Sequence, residues 1–168
     1  MQPDREPRSE DCLRLNIFTR RVWIISLSQC SWKKPSTIDY CILLQINNAT
    51  ELRPVLVYIH GGSFAGGSCR SDSQGAKYLM DHDIVFVTIQ YRLGTLGFFS
   101  TGDSYAPGNY GMKDQVEALR WIQRNIAAFG GDPSSVTISG SSAGGASIGL
   151  HLLSPMSRGI FIFRSHSQ

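Results

Sequence analysis

The chain has 168 residues, enough for a single domain with a sizeable core, and its 42% hydrophobic and 17% charged composition is that of an ordinary globular protein. A net charge of +3, with basic residues scattered rather than gathered on one predicted face, argues against an electrostatic nucleic-acid binder. No glycine-rich run ends in Gly-Lys-Ser/Thr and no Gly-x-Gly-x-x-Gly opens a helix, which excludes the common phosphate and dinucleotide loops.

In chain order, Met1–Arg8 is polar and lacks the apolar stretch of a signal peptide. Leu13, Leu15 and Ile17 alternate with Arg14 and Asn16, which predicts a strand with one buried face. Two apolar runs, Val22–Leu27 and Tyr40–Ile46, are each too short to cross a membrane and could pair as a hairpin. Asn48-Ala49-Thr50 is a glycosylation sequon that matters only on the secretory route. Cys12, Cys30, Cys41 and Cys69 make an even count, as two disulfides would need, while no Cys-x-x-Cys or Cys/His spacing implies a metal.

Val55–Ile59 is a continuous apolar run and predicts a buried strand. It leads into His60-Gly61-Gly62-Ser63-Phe64-Ala65-Gly66-Gly67, where a glycine pair leaves backbone N–H groups open to a ligand. Ala76–His82 reads as a short helical stretch, with His82 between Asp81 and Asp83 facing solvent, and Ile84–Tyr91 reads as a β-branched and aromatic strand. Over Met112–Ala128, Val116, Leu119, Ile122 and Ile126 recur at helical spacing, with Trp121 assigned to the core. Phe129-Gly130-Gly131 stops that helix, and Asp132-Pro133 turns the chain into the strand Val136–Ser139.

That strand runs into Gly140-Ser141-Ser142-Ala143-Gly144, a Gly-x-Ser-x-Gly turn between a strand and a helix. Glycines beside the serine let backbone pass close by, and a helix N-terminus directs free N–H groups at developing negative charge. Ser142 is the candidate nucleophile, and the N–H groups of Gly61, Gly62 and Ala143 are the candidate oxyanion donors for acyl transfer. An apolar pattern of Ile148, Leu150, Leu152 and Leu153 follows the turn.

Three blocks resemble the type-B carboxylesterases, the family that includes the cholinesterases, within the α/β-hydrolase fold. Glu10-Asp-Cys-Leu-Arg-Leu-Asn-Ile17 is similar to the family's E-D-C-L-x-L-N block, His60–Gly67 to its oxyanion loop, and Phe129–Gly145 to its F-G-G-D-P…G-x-S-x-G signature. Tyr91-Arg92-Leu93-Gly94, Gly97-Phe98, Gly108–Gly111 and Asp114-Gln115 also resemble family segments, so the likeness covers residues 9–20 and about 48–160.

The resemblance implies an α/β-hydrolase fold: a mainly parallel sheet with helices on both faces, built around the strands at Val55, Ile84 and Val136 and incomplete because later strands are missing. Residues 1–168 would then be a partial carboxylesterase type-B domain, with an open sheet edge beside the strand ending at Ser139. Residues 21–47 do not match the family. An off-pattern insertion at about 22–46 reads as retained intron or gene-model error, with an inserted hairpin as its rival, because long structureless loops are rare inside compact domains. The family's partner for Cys12 lies upstream of the E-D-C-L block, where residues 1–11 hold no cysteine, so Cys12 is expected to be unpaired.

The activity implied is hydrolysis of a small-molecule carboxylic ester, with no cofactor, no metal, no nucleic acid and no membrane span, in a protein whose relatives are secreted or enter the endoplasmic reticulum. In this fold the triad acid and histidine follow the serine, yet no Asp or Glu follows Ser142, and His151 and His166 do not resemble the family base. The 168-residue chain is therefore expected to be inactive by itself. The alternative is a non-catalytic adhesion or signalling protein on the same fold. Such relatives often lose the serine that this sequence keeps.

Overall fold

A computed structural model describes residues 13–19, 51–69, 76 and 78–161 in full and 22–26 as backbone. Cys12, Cys30, Cys41, His166, the sequon, Tyr40–Ile46 and the rest of the Glu10–Cys12 block lie outside the described residues.

Five strands form one mixed sheet: β1 (Leu15–Thr19), β2 (Val22–Ser26), β3 (Arg53–Ile59), β4 (Val85–Ile89) and β5 (Gly131–Gly140), in the order β2-β1-β4-β3-β5. The β3–β4 and β3–β5 pairs are parallel, as strands joined through crossovers must be, and β1 lies antiparallel to both β4 and β2. β2 thus pairs with β1, Asn16 opposite Ser26 and Ile17 opposite Ile25. Three helices are described: α1 (Gly94–Phe98), α2 (Tyr110–Asn125) and α3 (Ala143–Leu153).

Strand alternation divides the interior into two layers. Val55, Val57 and Ile59 of β3, Val85, Val87 and Ile89 of β4, and Leu15 and Ile17 of β1 point to the face covered by α2 and the 3₁₀ turn Ile126–Phe129 that follows it, where Val116, Leu119, Ile122 and Ile126 meet them. Ile148 of α3 packs on the same cluster. Full burial of such side chains contributes roughly 1.5–3 kcal/mol each. On the other face Phe18, Ala76 and Phe86 form a smaller cluster with Leu56, Tyr58, Leu79 and Met80, capped by a 3₁₀ turn at Leu79–Asp81. Trp121 is buried against Phe129, their ring centroids 6.1 Å apart.

One expectation changes. β1 is buried on both faces, not one, because the side chain of Asn16 is satisfied inside: its Nδ2 donates to the Cys69 carbonyl at 2.6 Å and to Thr88 Oγ1 at 3.1 Å. In α3 the leucines do not form the buried face. Ala143, Ser147 and His151, spaced at four residues, face inward, while Leu150, Leu152 and Leu153 are exposed.

β5 ends the sheet order, with no further strand on its outer edge among the described residues. With the α3 leucines and Met156 also exposed, the surface invites pairing with another chain. Residues 1–168 expressed alone are expected to self-associate at micromolar concentration, and Leu150→Lys with Leu153→Lys to shift the light-scattering mass toward the monomer. A parent chain that stays monomeric and unfolds sharply and reversibly would contradict this.

Candidate active site

The site lies where the C-terminal ends of β3 and β5 run side by side. In-register parallel pairing from Val55–Val136 to Ile59–Gly140 brings the loop after β3 and the turn after β5 out of the sheet together. Ligands of open parallel sheets bind at these carboxyl ends.

The turn after β5 is sharp. Ser142, the N-cap of α3, has φ 55° and ψ −119°, a backbone state that a residue with a side chain seldom occupies and that costs on the order of 1–3 kcal/mol. The two flanking glycines make room for it. A Cβ on Gly144 would collide with the Ile59 carbonyl oxygen, and one on Gly140 would come within 2.6 Å of the Gly144 carbonyl carbon and 2.9 Å of the Ile59 oxygen. The G-x-S-x-G spacing is thus a packing requirement between two strand ends, and it leaves the Ser142 residue exposed.

The loop after β3 closes against this turn. A Cβ on Gly61 would stand 2.7 Å from the Ser141 carbonyl oxygen and 3.1 Å from Ser142 Cβ. Gly62, Ser63 and Phe64 all have positive φ (116°, 54° and 59°), and the Gly62 carbonyl accepts from Ala65 N and Gly66 N at 3.0 Å each. Phe64 anchors the loop through an edge-on contact with Phe98 at 5.1 Å, and its carbonyl accepts from Gly94 N at 2.7 Å.

His60 enters the loop buried, its ring stacked 4.5 Å from that of Tyr91, whose hydroxyl donates to the His60 carbonyl at 2.8 Å. Burial lowers the His60 pKa, offset in part by the bond to Gly61 O. Because that carbonyl can only accept, the 2.8 Å contact is a donation from His60 Nδ1–H, and the ring is neutral. Burial also pushes the Tyr91 phenol up to about 12, so it stays a donor.

The structure therefore brings together all four sequence-predicted site residues. Ser142, Gly61 and Gly62 line one open cleft of about 580 Å3, with Tyr58, His60 and Ser141, and Ala143 is the next residue into α3. The N–H groups of Gly61, Gly62 and Ala143 donate to no protein acceptor among the described residues. Of the described histidines, His82 is exposed near the 3₁₀ turn, His151 lies nine residues along α3 from Ser142, roughly 13 Å at helical rise, and His60, which lines the cleft, is buried with its Nδ1–H given to the Gly61 carbonyl. Among the described residues no group of His, Cys, Asp and Glu could hold a metal, no disulfide is formed, and no helix is long and apolar enough to cross a membrane.

The supporting roles of several residues were not read from the sequence. Gln90 Oε1 accepts from Cys69 N at 2.9 Å, tying the far end of the loop after β3 to the end of β4. Arg92 and Asp114 form a two-pronged ion pair at 2.6 and 2.7 Å beneath Tyr110. His151 is buried between Ser157 Oγ, 2.8 Å from Nδ1, and Gln115 Oε1, 2.9 Å from Nε2, and burial lowers its pKa to about 4. The available signal was polar residues at positions where periodicity demands apolar ones, as with Thr88 in β4 and Gln115 beside Val116.

A strained serine elbow beside a glycine loop, at the parallel part of a mixed sheet, defines an α/β-hydrolase. The comparisons specify the class further. The Carboxylesterase family model matches residues 1–164, and the chain belongs to that family. It is 50% identical over 153 residues to Esterase FE4 of Myzus persicae, covering 90% of this chain and 23% of that protein. It is 48% identical over 159 residues to Cocaine esterase of Oryctolagus cuniculus (95% and 25%), and 46% identical over 153 residues to Juvenile hormone esterase of Tribolium castaneum (91% and 22%). The crystal structure of Juvenile hormone esterase from Manduca sexta with OTFP covalently attached aligns at TM-score 0.65 and 46% identity, over 68% of this chain and 21% of that one. The chain thus spans a quarter or less of the length of these relatives.

Gly144→Ala drives a methyl group into the Ile59 carbonyl and is expected to destabilise the elbow severely, whereas Tyr91→Phe, which strands the buried His60 carbonyl, costs about 1–3 kcal/mol. Both are read from denaturation midpoints in dilute solution. For His151, the folded pKa of about 4 lies below the ordinary 6.5, so the unfolded state binds the extra proton. Its contribution to stability is complete above pH 6.5 and is lost as pH falls toward 4, by roughly 3 kcal/mol at 1.36 per pH unit. His151→Leu should flatten that slope, and a slope unchanged by the substitution would reject the assignment.

Proposed function

We propose that the chain carries the nucleophile and oxyanion hole of a carboxylic ester hydrolase. Ser142 Oγ attacks the ester carbonyl, and the N–H groups of Gly61, Gly62 and Ala143 receive the negative charge that develops on its oxygen. The observation that carries this reading is the close approach of Gly61 to Ser142 Cβ, with three unengaged N–H groups gathered around it. The N-terminal position of Ser142 on α3 adds the favourable end of the helix dipole. The similar Juvenile hormone esterase that bears a covalently attached group accords with a nucleophilic mechanism.

The general base and its acid partner come from outside residues 1–168. That agrees with the absence of any acidic residue after Ser142 and with a chain a quarter or less the length of its relatives. Without them the oxyanion donors retain part of the rate advantage, because removal of triad members elsewhere leaves about 10³–10⁴-fold over water. This chain alone therefore completes no catalytic cycle but forms a covalent adduct slowly.

The test is overnight treatment of the chain with an alkyl fluorophosphonate, followed by intact-mass and peptide analysis. One adduct at Ser142, lost in Ser142→Ala, is expected, together with no multiple-turnover ester cleavage. A parent chain that takes up no phosphonate would defeat the nucleophile assignment.

A further inference from the structure

Beneath the elbow runs a chain of buried polar groups that links α3 to α2. Gln115, Ser147, His151 and Ser157 are each 2% exposed or less. Ser147 Oγ lies 2.9 Å from the Ala143 carbonyl oxygen, Gln115 Nε2 lies 3.1 Å from Ser147 Oγ, His151 Nε2 lies 2.9 Å from Gln115 Oε1, and Ser157 Oγ lies 2.8 Å from His151 Nδ1.

The order of hydrogens along this chain is determined by what each group can do. The Ala143 carbonyl only accepts, so the Ser147 hydroxyl hydrogen goes to it. Ser147 Oγ then accepts from the Gln115 amide nitrogen, which turns Gln115 Oε1 toward the imidazole. His151 must donate from Nε2, and its bare Nδ1 accepts from the Ser157 hydroxyl. Flipping the Gln115 amide reverses the run but leaves Ser147 Oγ and the Ala143 oxygen facing each other at 2.9 Å with no hydrogen between them. The edge of Phe161, 6.5 Å from the His151 ring, and the apolar surroundings keep the imidazole neutral.

We propose that Gln115, Ser147 and His151 are positioning residues, a hydrogen-bond chain of fixed direction that clamps the Ala143–Gly144 peptide to α2 and so holds Ser142 and the Ala143 N–H in register with Gly61. The proposal rests on the reading of Ser142 as nucleophile and of Ala143 as oxyanion donor. A strained φ of 55° at Ser142 persists only where its surroundings over-determine it, and the clamp acts one residue away. Glycines at 144 and 145 make the first turn of α3 compliant, so the constraint has to come from outside the helix backbone.

The experiment compares the parent chain with Ser147→Ala and Gln115→Met in dilute solution. Phosphonylation of Ser142 is followed over a range of fluorophosphonate concentrations, which separates the maximal rate from half-saturation. Loss of one hydrogen bond of the clamp is expected to slow the maximal rate about tenfold with half-saturation unchanged, and to speed amide hydrogen exchange across 143–147 by a similar factor. Variants that react and exchange like the parent overturn the proposal.

A parent chain that takes no phosphonate defeats the nucleophile reading instead, and hydrogen exchange then decides the clamp by itself. Should both variants fail to fold, the parent still decides: long-range 1H–15N correlations must place the His151 hydrogen on Nε2, and a hydrogen on Nδ1 rejects the chain's direction.

Discussion

The structure depends on one close approach of backbone to backbone. β3 and β5 are parallel and flush at their ends, Ile59 opposite Gly140, so the chain leaving each strand must pass the other without an intervening side chain. Gly144 sits against the Ile59 carbonyl and Gly61 against Ser141 and Ser142. Any Cβ at these contacts would push the two loops apart. The loop donors and the serine would then no longer share a cleft. The glycines of two motifs separated by eighty residues of sequence are in this sense one feature, seen from its two sides.

Strain is concentrated at that junction and restrained from beneath it. Ser142 and the run Gly62–Phe64 hold positive φ, and each is tied to a rigid neighbour: the loop to Tyr91 and Phe98, the elbow to α3 and through it to α2. The restraints are polar wherever backbone groups need partners and aromatic wherever bulk is needed. This division explains why a core dominated by Val and Ile also contains Asn16, Thr88, Asp114, Gln115, Ser147 and His151, every one of them hydrogen-bonded. In a low-dielectric interior a fully satisfied polar chain rigidifies its surroundings, while a broken one is costly.

The same balance accounts for the histidines. His60 and His151 are both buried, both neutral and both hydrogen-bonded to fixed acceptors, so each acts as an oriented donor and not as a proton carrier near neutral pH. His151 lies nine residues along α3 from Ser142, and His60 gives its Nδ1–H to the Gly61 carbonyl. What residues 1–168 fix is the geometry of the cleft: an exposed serine at a strained turn, held beside a glycine loop.

Local chemistry was legible in the sequence. Continuous β-branched runs marked β3 and β4, helical spacing of Val116, Leu119, Ile122 and Ile126 marked the buried face of α2, and glycine placement marked both site loops, because strand burial, helix periodicity and backbone approach each leave a short-range imprint. The family, too, was legible from those blocks. What only the tertiary structure decided was which polar residues go inside. β1 was read as one-sided because Asn16 is polar, and nothing in the sequence marked His151 as interior, yet Asn16 finds Cys69 and Thr88 across the fold and His151 finds Gln115 on another helix. A polar group is buried when partners meet it, and partners fifty or more residues away in β1's case, or thirty-six in His151's, leave no local trace.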